Sequence, residues 1–240
     1  MHTWKQAAWL AGFELKARMK RSLLMLAFYT IVGFIFLTSF DNYLADNFYA
    51  FDLLFLLLFI MFPAWMKPKI FQMQKMDGDL WAVPAVIMLQ QLPVPKAVIV
   101  KSRFIIHSVY SFPYQLMLLV MLLVVSPGFR EMITPLSYTA FVTIWLAVSV
   151  ALGFAMAASE AGGTFETKLL AKSMIYLVLG IAVFYAAFQW LAEEGLIYWT
   201  IGLAQNWPLL SIGVSLLVIY AGWNYWQRVM KKDIEKADFL

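Results

Sequence analysis

Six stretches of mainly apolar residues, at 22–40, 49–66, 103–126, 136–158, 173–192 and 207–226, constrain this chain more than any other feature. A helix needs about 17–25 such residues to cross roughly 30 Å of hydrocarbon. Backbone polar groups find no water in lipid, so each stretch is expected to be helical. Runs this continuous lack the residue-by-residue alternation of barrel strands. Composition agrees, with 63% hydrophobic and 13% charged residues, against about half and a quarter in soluble domains. The first run comes after a basic leader without a small-residue cleavage site, and reads as a retained span. The expected fold class is therefore all-α integral membrane, with six transmembrane helices.

Charge then orients the bundle. Of the 18 Lys and Arg, 17 precede the first span, lie between the second and third, lie between the fourth and fifth, or come after the sixth. The other side carries Arg130 with Asp41, Asp46, Asp52, Glu131, Glu193 and Glu194. The positive-inside rule makes both termini cytoplasmic. The net charge of +4 is thus a topology signal, and no nucleic-acid partner is expected. The chain divides into three parts: a basic interfacial helix over 1–21, a six-span domain over 22–226 with a cytoplasmic loop at about 67–102, and a cytoplasmic tail over 227–240. In the first part, Trp4, Ala8, Ala11, Leu15 and Met19 share one helical face opposite Lys5, Lys16 and Lys20. The same residues also fit a basic flank that only sets topology.

Chemistry is sparse. The chain has no cysteine and two histidines, which excludes disulfides and thiolate sites and argues against a metal centre. Glu193-Glu194 sits at an outer helix end without histidine or arginine at useful spacing, and reads as solvated. The run Gly162 to Lys168, "GGTFETK", lacks the glycine before the lysine, the Ser/Thr after it and a preceding strand, so it is a turn and not a phosphate loop. No cofactor and no catalytic residue is expected in this chain. His107 reads as a headgroup-level anchor one turn inside Arg103, and Asp52 as an interface or capping residue. No acid is central in any span, which argues against an ion-driven carrier or channel. A membrane enzyme or scaffold, the third possibility, would want a polar cluster at depth.

Ser149, Gly153 and Ala157 recur at four-residue spacing, flanked by Ala147, Ala151 and Ala155. This small-residue face is expected to pack inside the bundle or across a dimer. Pro113 is expected to kink the third span. Trp65, Trp199, Trp207, Trp223 and Trp226 at span ends suit an interface belt.

The loop is too small for an enzymatic domain. Its first part, Lys67 to Met76, reads as a continuation of the second helix, Asp77-Gly78-Asp79 as a turn, and Leu80 to Leu89 as an apolar run too short to span. Its last part, "LPVPKAVIVKSRF", lies directly before the third span. That segment resembles the leucine-proline-basic-apolar cytoplasmic segment of type-2 ABC exporter permeases. The cation expected two places after the first proline is met one place later by Lys96, with Pro95 intervening. The likeness extends to the basic surface helix, six spans and the short charged tail "KKDIEKADF". It implies a coupling loop that docks on a cytoplasmic ATPase, with Leu92, Pro93, Pro95, Lys96 and Lys101 at the contact. It further implies two copies of an ABC ATPase that hold ATP and magnesium, a second permease subunit (identical or related), and export through a bacterial plasma membrane. Greasy spans without buried charge favour a hydrophobic or amphipathic cargo such as a peptide, antibiotic or lipid-like molecule.

Overall fold

The computed structural model describes residues 2–46, 50–161, 165–192 and 194–236. Gly162–Thr164 of the glycine turn, Glu193 of the acidic pair and residues 237–240 of the tail lie outside them. In chain order, helix α1 (His2–Lys16) is separated by a turn at Ala17 and Arg18 from α2 (Met19–Leu37), which α3 (Phe40–Asp46) extends. Helix α4 (Ala50–Met66) contains a π-helical turn at Leu57–Met61. It stops at Met66 because Lys67 precedes Pro68 and takes an extended ψ of 143°, the conformation a succeeding proline imposes. Lys67 to Met76 therefore does not continue the helix.

Beyond this stop a small β ribbon stands within the otherwise helical fold. Strands β1 (Gln74–Asp77) and β2 (Leu80–Ala82) pair antiparallel, around a turn where Gly78 has φ +50°, a conformation that favours glycine. A two-stranded ribbon is marginal alone. Here β3 (Phe165–Glu166), from far along the chain, pairs antiparallel with β2. Periodicity could not have shown this, because the third strand has two residues and joins a partner more than eighty positions away.

Helix α5 (Pro84–Gln90) leads through a turn into α6 (Lys96–Val125), 30 residues long. At about 1.5 Å per residue, α6 spans roughly 45 Å. It passes through Pro113 unbroken. Helices α7 (Pro127–Met132), α8 (Pro135–Ala158), α9 (Thr167–Ala192), α10 (Leu196–Asn206) and α11 (Pro208–Lys236) complete the order. Ser126 and Thr134 cap α7 and α8, each hydroxyl accepting from a first-turn amide at 3.0 and 3.2 Å. A second π-helical turn, Ser149–Gly153, interrupts α8.

Among the described residues, four helices are long and apolar enough to cross a membrane: Met19–Asp46, α6, α8 and α11. Ala50–Met66 and Leu179–Ala192 are shorter apolar helices. Large apolar side chains stand exposed along α2 (Leu23, Leu24, Phe28, Ile31) and α11 (Leu209, Leu210, Leu216, Leu217). Surfaces of this extent ask for hydrocarbon or another protein rather than water, so the chain is a helical membrane protein.

The core lies between α4, α6 and α8. Phe55, Phe59, Phe141 and Trp145 are fully buried; Phe55 and Phe59 stack, and both meet the Trp145 ring edge-on, with Phe141 tilted against it. These inward aromatics fill the interior instead of lining an open route. Two expected belt residues are also turned inward: Trp226 donates to the Ala151 carbonyl at 2.8 Å, and Trp223 packs on Phe104 and Phe154. Residues 227–236 are the end of α11, not a free tail, with Met230 and Ile234 buried among Leu89, Ile99 and Val100.

Candidate functional site

The segment from Gln91 to Lys96 is a knob at the basic end of the bundle. Two prolines that cannot donate backbone hydrogen bonds keep it out of helix, and Pro95 then caps α6, accepting from Val98 and Ile99. Leu92 is 54% exposed, and Pro93, Pro95 and Lys96 are exposed as well, whereas Val98, Ile99 and Val100 are buried. Lys101 does not belong to the knob. Its ammonium donates to Thr3 Oγ1 at 3.0 Å and lies 4.6 Å from the Trp4 ring centroid.

Lys101 thus ties α6 to α1, and an Arg103–Glu14 ion pair ties the same two helices again. Ala7 and Ala11 are both fully buried where α1 meets α6, because small side chains allow close approach. The packed face of α1 is therefore Ala7, Ala11 and Glu14, rotated from the expected one. Ala8 and Met19 are exposed, and Trp9 and Phe13 stack on each other at the surface. A groove of about 430 Å³ lies between α1 (Lys5, Gln6, Trp9) and the knob (Pro93, Val94, Pro95). It is almost entirely apolar in lining side chains apart from Lys5 and Gln6, at an edge where both walls are exposed.

Beneath this face sits a buried cluster of charges. Lys67, at the end of α4, pairs with Glu160, just beyond α8, and both are buried. Arg103 is fully buried, paired with Glu14, and lies over the Phe71 ring at 5.2 Å. Burial pushes the Glu160 carboxyl above its ordinary range, with Lys67 opposing.

A polar seam continues from this cluster into the helices. Arg103, His107, Ser111 and Gln115 recur every four residues on one face of α6, and all four are fully buried. Gln115 Nε2 donates to the Phe59 carbonyl at 2.8 Å and to Ser149 Oγ at 2.7 Å. Ser111 and Ser149 hydroxyls are 3.4 Å apart. Phe59, whose carbonyl takes one of these bonds, and Ser149, whose hydroxyl takes the others, lie in the two π-helical turns. Ser149, Gly153 and Ala157 are buried inside this chain's own bundle and form the wall opposite. His107 is not a headgroup-level anchor: it is fully buried against the Phe154 ring, 4.9 Å between centroids. The four-residue spacing on α6 was a visible signal, but its meaning depended on what the other helices place opposite.

At the other end, Asp52 is fully buried and accepts four hydrogen bonds, from Tyr43 and Tyr185 hydroxyls at 2.9 Å each and from Leu196 and Ile197 amides at 2.8 and 2.9 Å. It caps α10, a helix 144 residues away along the chain, and not its own. Gly195 allows the approach, since a Cβ there would stand 2.1 Å from the Tyr43 hydroxyl. A broad apolar groove of about 650 Å³ runs along α8, α10 and α11 past Ile144, Val148, Leu203, Trp207 and Val214. Among the described residues, no group of three His, Asp or Glu side chains is placed to hold a metal.

Fold and surface define a helical membrane protein with an exposed knob, one buried and one half-buried ion pair, and a polar seam. Compared with models of protein families, with curated proteins and with solved structures, the chain matches none.

Proposed function

We propose that this chain is the membrane permease subunit of an ATP-driven ABC exporter, inserted with six spans and both termini cytoplasmic in a bacterial plasma membrane. The observation that carries the reading is mechanical. The exposed Leu92–Lys96 knob is rigidly continuous with a 30-residue helix that runs through the bundle, so force applied to the knob reaches the far side. The clamp of α1 on α6 through Lys101 and Arg103 makes the surface helix part of the same lever. The groove beside the knob offers an apolar socket to an ATPase surface, and Leu92, Pro93, Pro95 and Lys96 are the contacts. Lys101 supports them from behind. Two ATPase subunits, holding ATP and magnesium, and a second permease subunit complete the transporter. The filled aromatic interior favours a path between two permease subunits over one through a single chain. The broad apolar groove favours a hydrophobic or amphipathic cargo. An ion-driven carrier is the second reading, and the polar seam speaks for it.

Leu92→Glu tests the docking contact. Abundance should stay near that of the parent, because an exposed side chain adds little to folding. Copurification of the ATPase should fall more than about tenfold, since a charge in an apolar contact costs about 2 kcal/mol or more, and transport should fall with it. Asn42→Glu, also exposed but at the opposite end, should do neither. A Leu92→Glu protein that holds its ATPase and transports like the parent removes the knob as the coupling contact.

A further inference from the structure

We propose that a groove between α1, α2 and α6 holds one anionic phospholipid of the leaflet at the basic end of the bundle, with its phosphate on Lys16 and part of one acyl chain between α2 and α6. The groove has a volume of about 350 Å³, within the roughly 300–1,000 Å³ of small-molecule sites. Met19, Ser22, Leu23 and Leu26 recur at i, i+3, i+4 and i+7 and form one stripe along α2. Val109 of α6 stands opposite, and Lys16 lies at the end of α1. Met19, Leu23 and Val109 are exposed, so this apolar strip asks for hydrocarbon. Its frame is fixed within the chain. The Ser22 and Tyr110 hydroxyls bond α2 to α6, and the Arg103–Glu14 pair holds α1 against α6. A seat formed in advance spares the ligand the cost of ordering it.

The direction of the groove fits a lipid. Helices α2 and α6 run parallel from the basic end, where Ser22 meets Tyr110, to a deeper level where Gly33 packs on Leu118. Helix α1 crosses α6 nearly at one level, since Thr3 meets Lys101 and Glu14 meets Arg103. The groove thus starts beside Lys16 and runs inward, and at about 1.5 Å per residue Leu26 lies roughly 10 Å beyond Met19. A cation at the outer end and an apolar channel further in match the polarity of a phospholipid in its leaflet. Charge then selects the headgroup. Four of the six residues Lys16–Arg21 are cations, and Glu14 is the only Asp or Glu before Asp41. Glu14 is engaged by Arg103, and among the described residues none of those four cations forms an ion pair. Like charges this close repel one another, and a bound anion relieves the repulsion. An exposed lysine can lay its methylenes along an apolar strip and keep its ammonium at headgroup level, and basic pockets between spanning helices suit lipid phosphates. The broad groove along α8, α10 and α11 has no charged residue in its wall and offers no such selection. This inference does not depend on the proposed ATPase partner.

Native mass spectrometry of the full-length protein in mild detergent reads the site. Dioleoylphosphatidylglycerol and dioleoylphosphatidylcholine serve as probes with the same chains and different net charge. One phosphatidylglycerol per chain should be retained, at least about tenfold more tightly than phosphatidylcholine, because several cations act on its headgroup. Lys16→Gln should weaken phosphatidylglycerol binding about fivefold, the effect of losing one cation near an anionic surface, and Lys16→Arg should preserve it. Lys232→Gln removes an exposed cation from the same end of the bundle but outside the groove, and should change nothing. Gly12 lies in the groove wall, and a Cβ there would meet nothing within 4 Å. Gly12→Phe should therefore fill the groove and lower retention of phosphatidylglycerol, with the melting temperature near that of the parent, since phenylalanine suits a helix better than glycine. The proposal is overturned if phosphatidylcholine is held as tightly, if Lys16→Gln binds like the parent, if Lys232→Gln costs as much as Lys16→Gln, or if Gly12→Phe has no effect on retention.

Discussion

Asp52→Ala is expected to be among the most destabilising single changes in this protein, although the carboxylate meets neither the knob nor the seam. Its two oxygens accept from two tyrosine hydroxyls and two backbone amides. Alanine removes all four acceptor contacts at once from a fully buried position. The Leu196 and Ile197 amides open α10, where first-turn N–H groups have no partner within the helix. Each buried donor left bare costs about 1–3 kcal/mol, so the two amides alone predict a loss of roughly 2–6 kcal/mol. That is a large share of a net stability of about 5–15 kcal/mol. Tyr43 retains one tie, since its hydroxyl also accepts from the Tyr198 amide at 3.2 Å. Asp52→Asn keeps one acceptor oxygen and should fall between parent and alanine. Asp46→Ala, at an exposed position, should stay within about 0.5 kcal/mol of the parent. Thermal unfolding in detergent or nanodiscs orders the three variants, and an Asp52→Ala protein that melts with the parent would remove this carboxylate as the anchor of α10.

The second large effect is expected at the opposite end. Lys67→Leu should strand the Glu160 carboxylate in a buried setting, because the two are paired with little solvent around either. Breaking such a pair from one side costs about 3–5 kcal/mol, whereas replacing both members by apolar residues is often close to neutral. Lys67→Leu/Glu160→Leu should therefore recover most of the loss, and a double variant no better than the single one would contradict the pairing.

The pH dependence has a definite sign. Burial raises the Glu160 carboxyl above its ordinary value of 4.5, and Lys67 opposes that rise. Without Lys67 the carboxyl is raised further. A raised acid contributes stability that is fully present below its unfolded value and is lost as pH climbs through the folded one. The Lys67→Leu protein should accordingly gain melting temperature relative to the parent as pH is lowered from neutrality towards about 4.5. A constant gap between the two proteins across that window would show that the carboxylate is not the source of the instability.

Local periodicity and local turn chemistry were the features legible in the sequence. The apolar runs had to become helices because a backbone in hydrocarbon has no other partner for its polar groups. The prolines around Val94 kept that segment outside a helix, and Gly78 made the turn at Asp77–Asp79, since both rules act within a few residues. The small-residue face at Ser149, Gly153 and Ala157 also came from spacing alone. Asp52 read as an interface or capping residue, and only the fold shows that it caps α10.

Tertiary structure decided the rest because those features are pairings between distant parts of the chain. Glu14 and Arg103, Lys67 and Glu160, and Asp52 and Leu196 are each separated by tens of residues or more, and no local pattern links them. The three-stranded sheet depends on two residues, Phe165 and Glu166, arriving beside β2. His107 illustrates the limit most directly. From its position one turn inside Arg103 it suggested an interfacial anchor, yet the direction of a side chain around a helix is set by what packs opposite. Only when α8 and its Phe154 ring are brought against α6 does that residue become a fully buried imidazole.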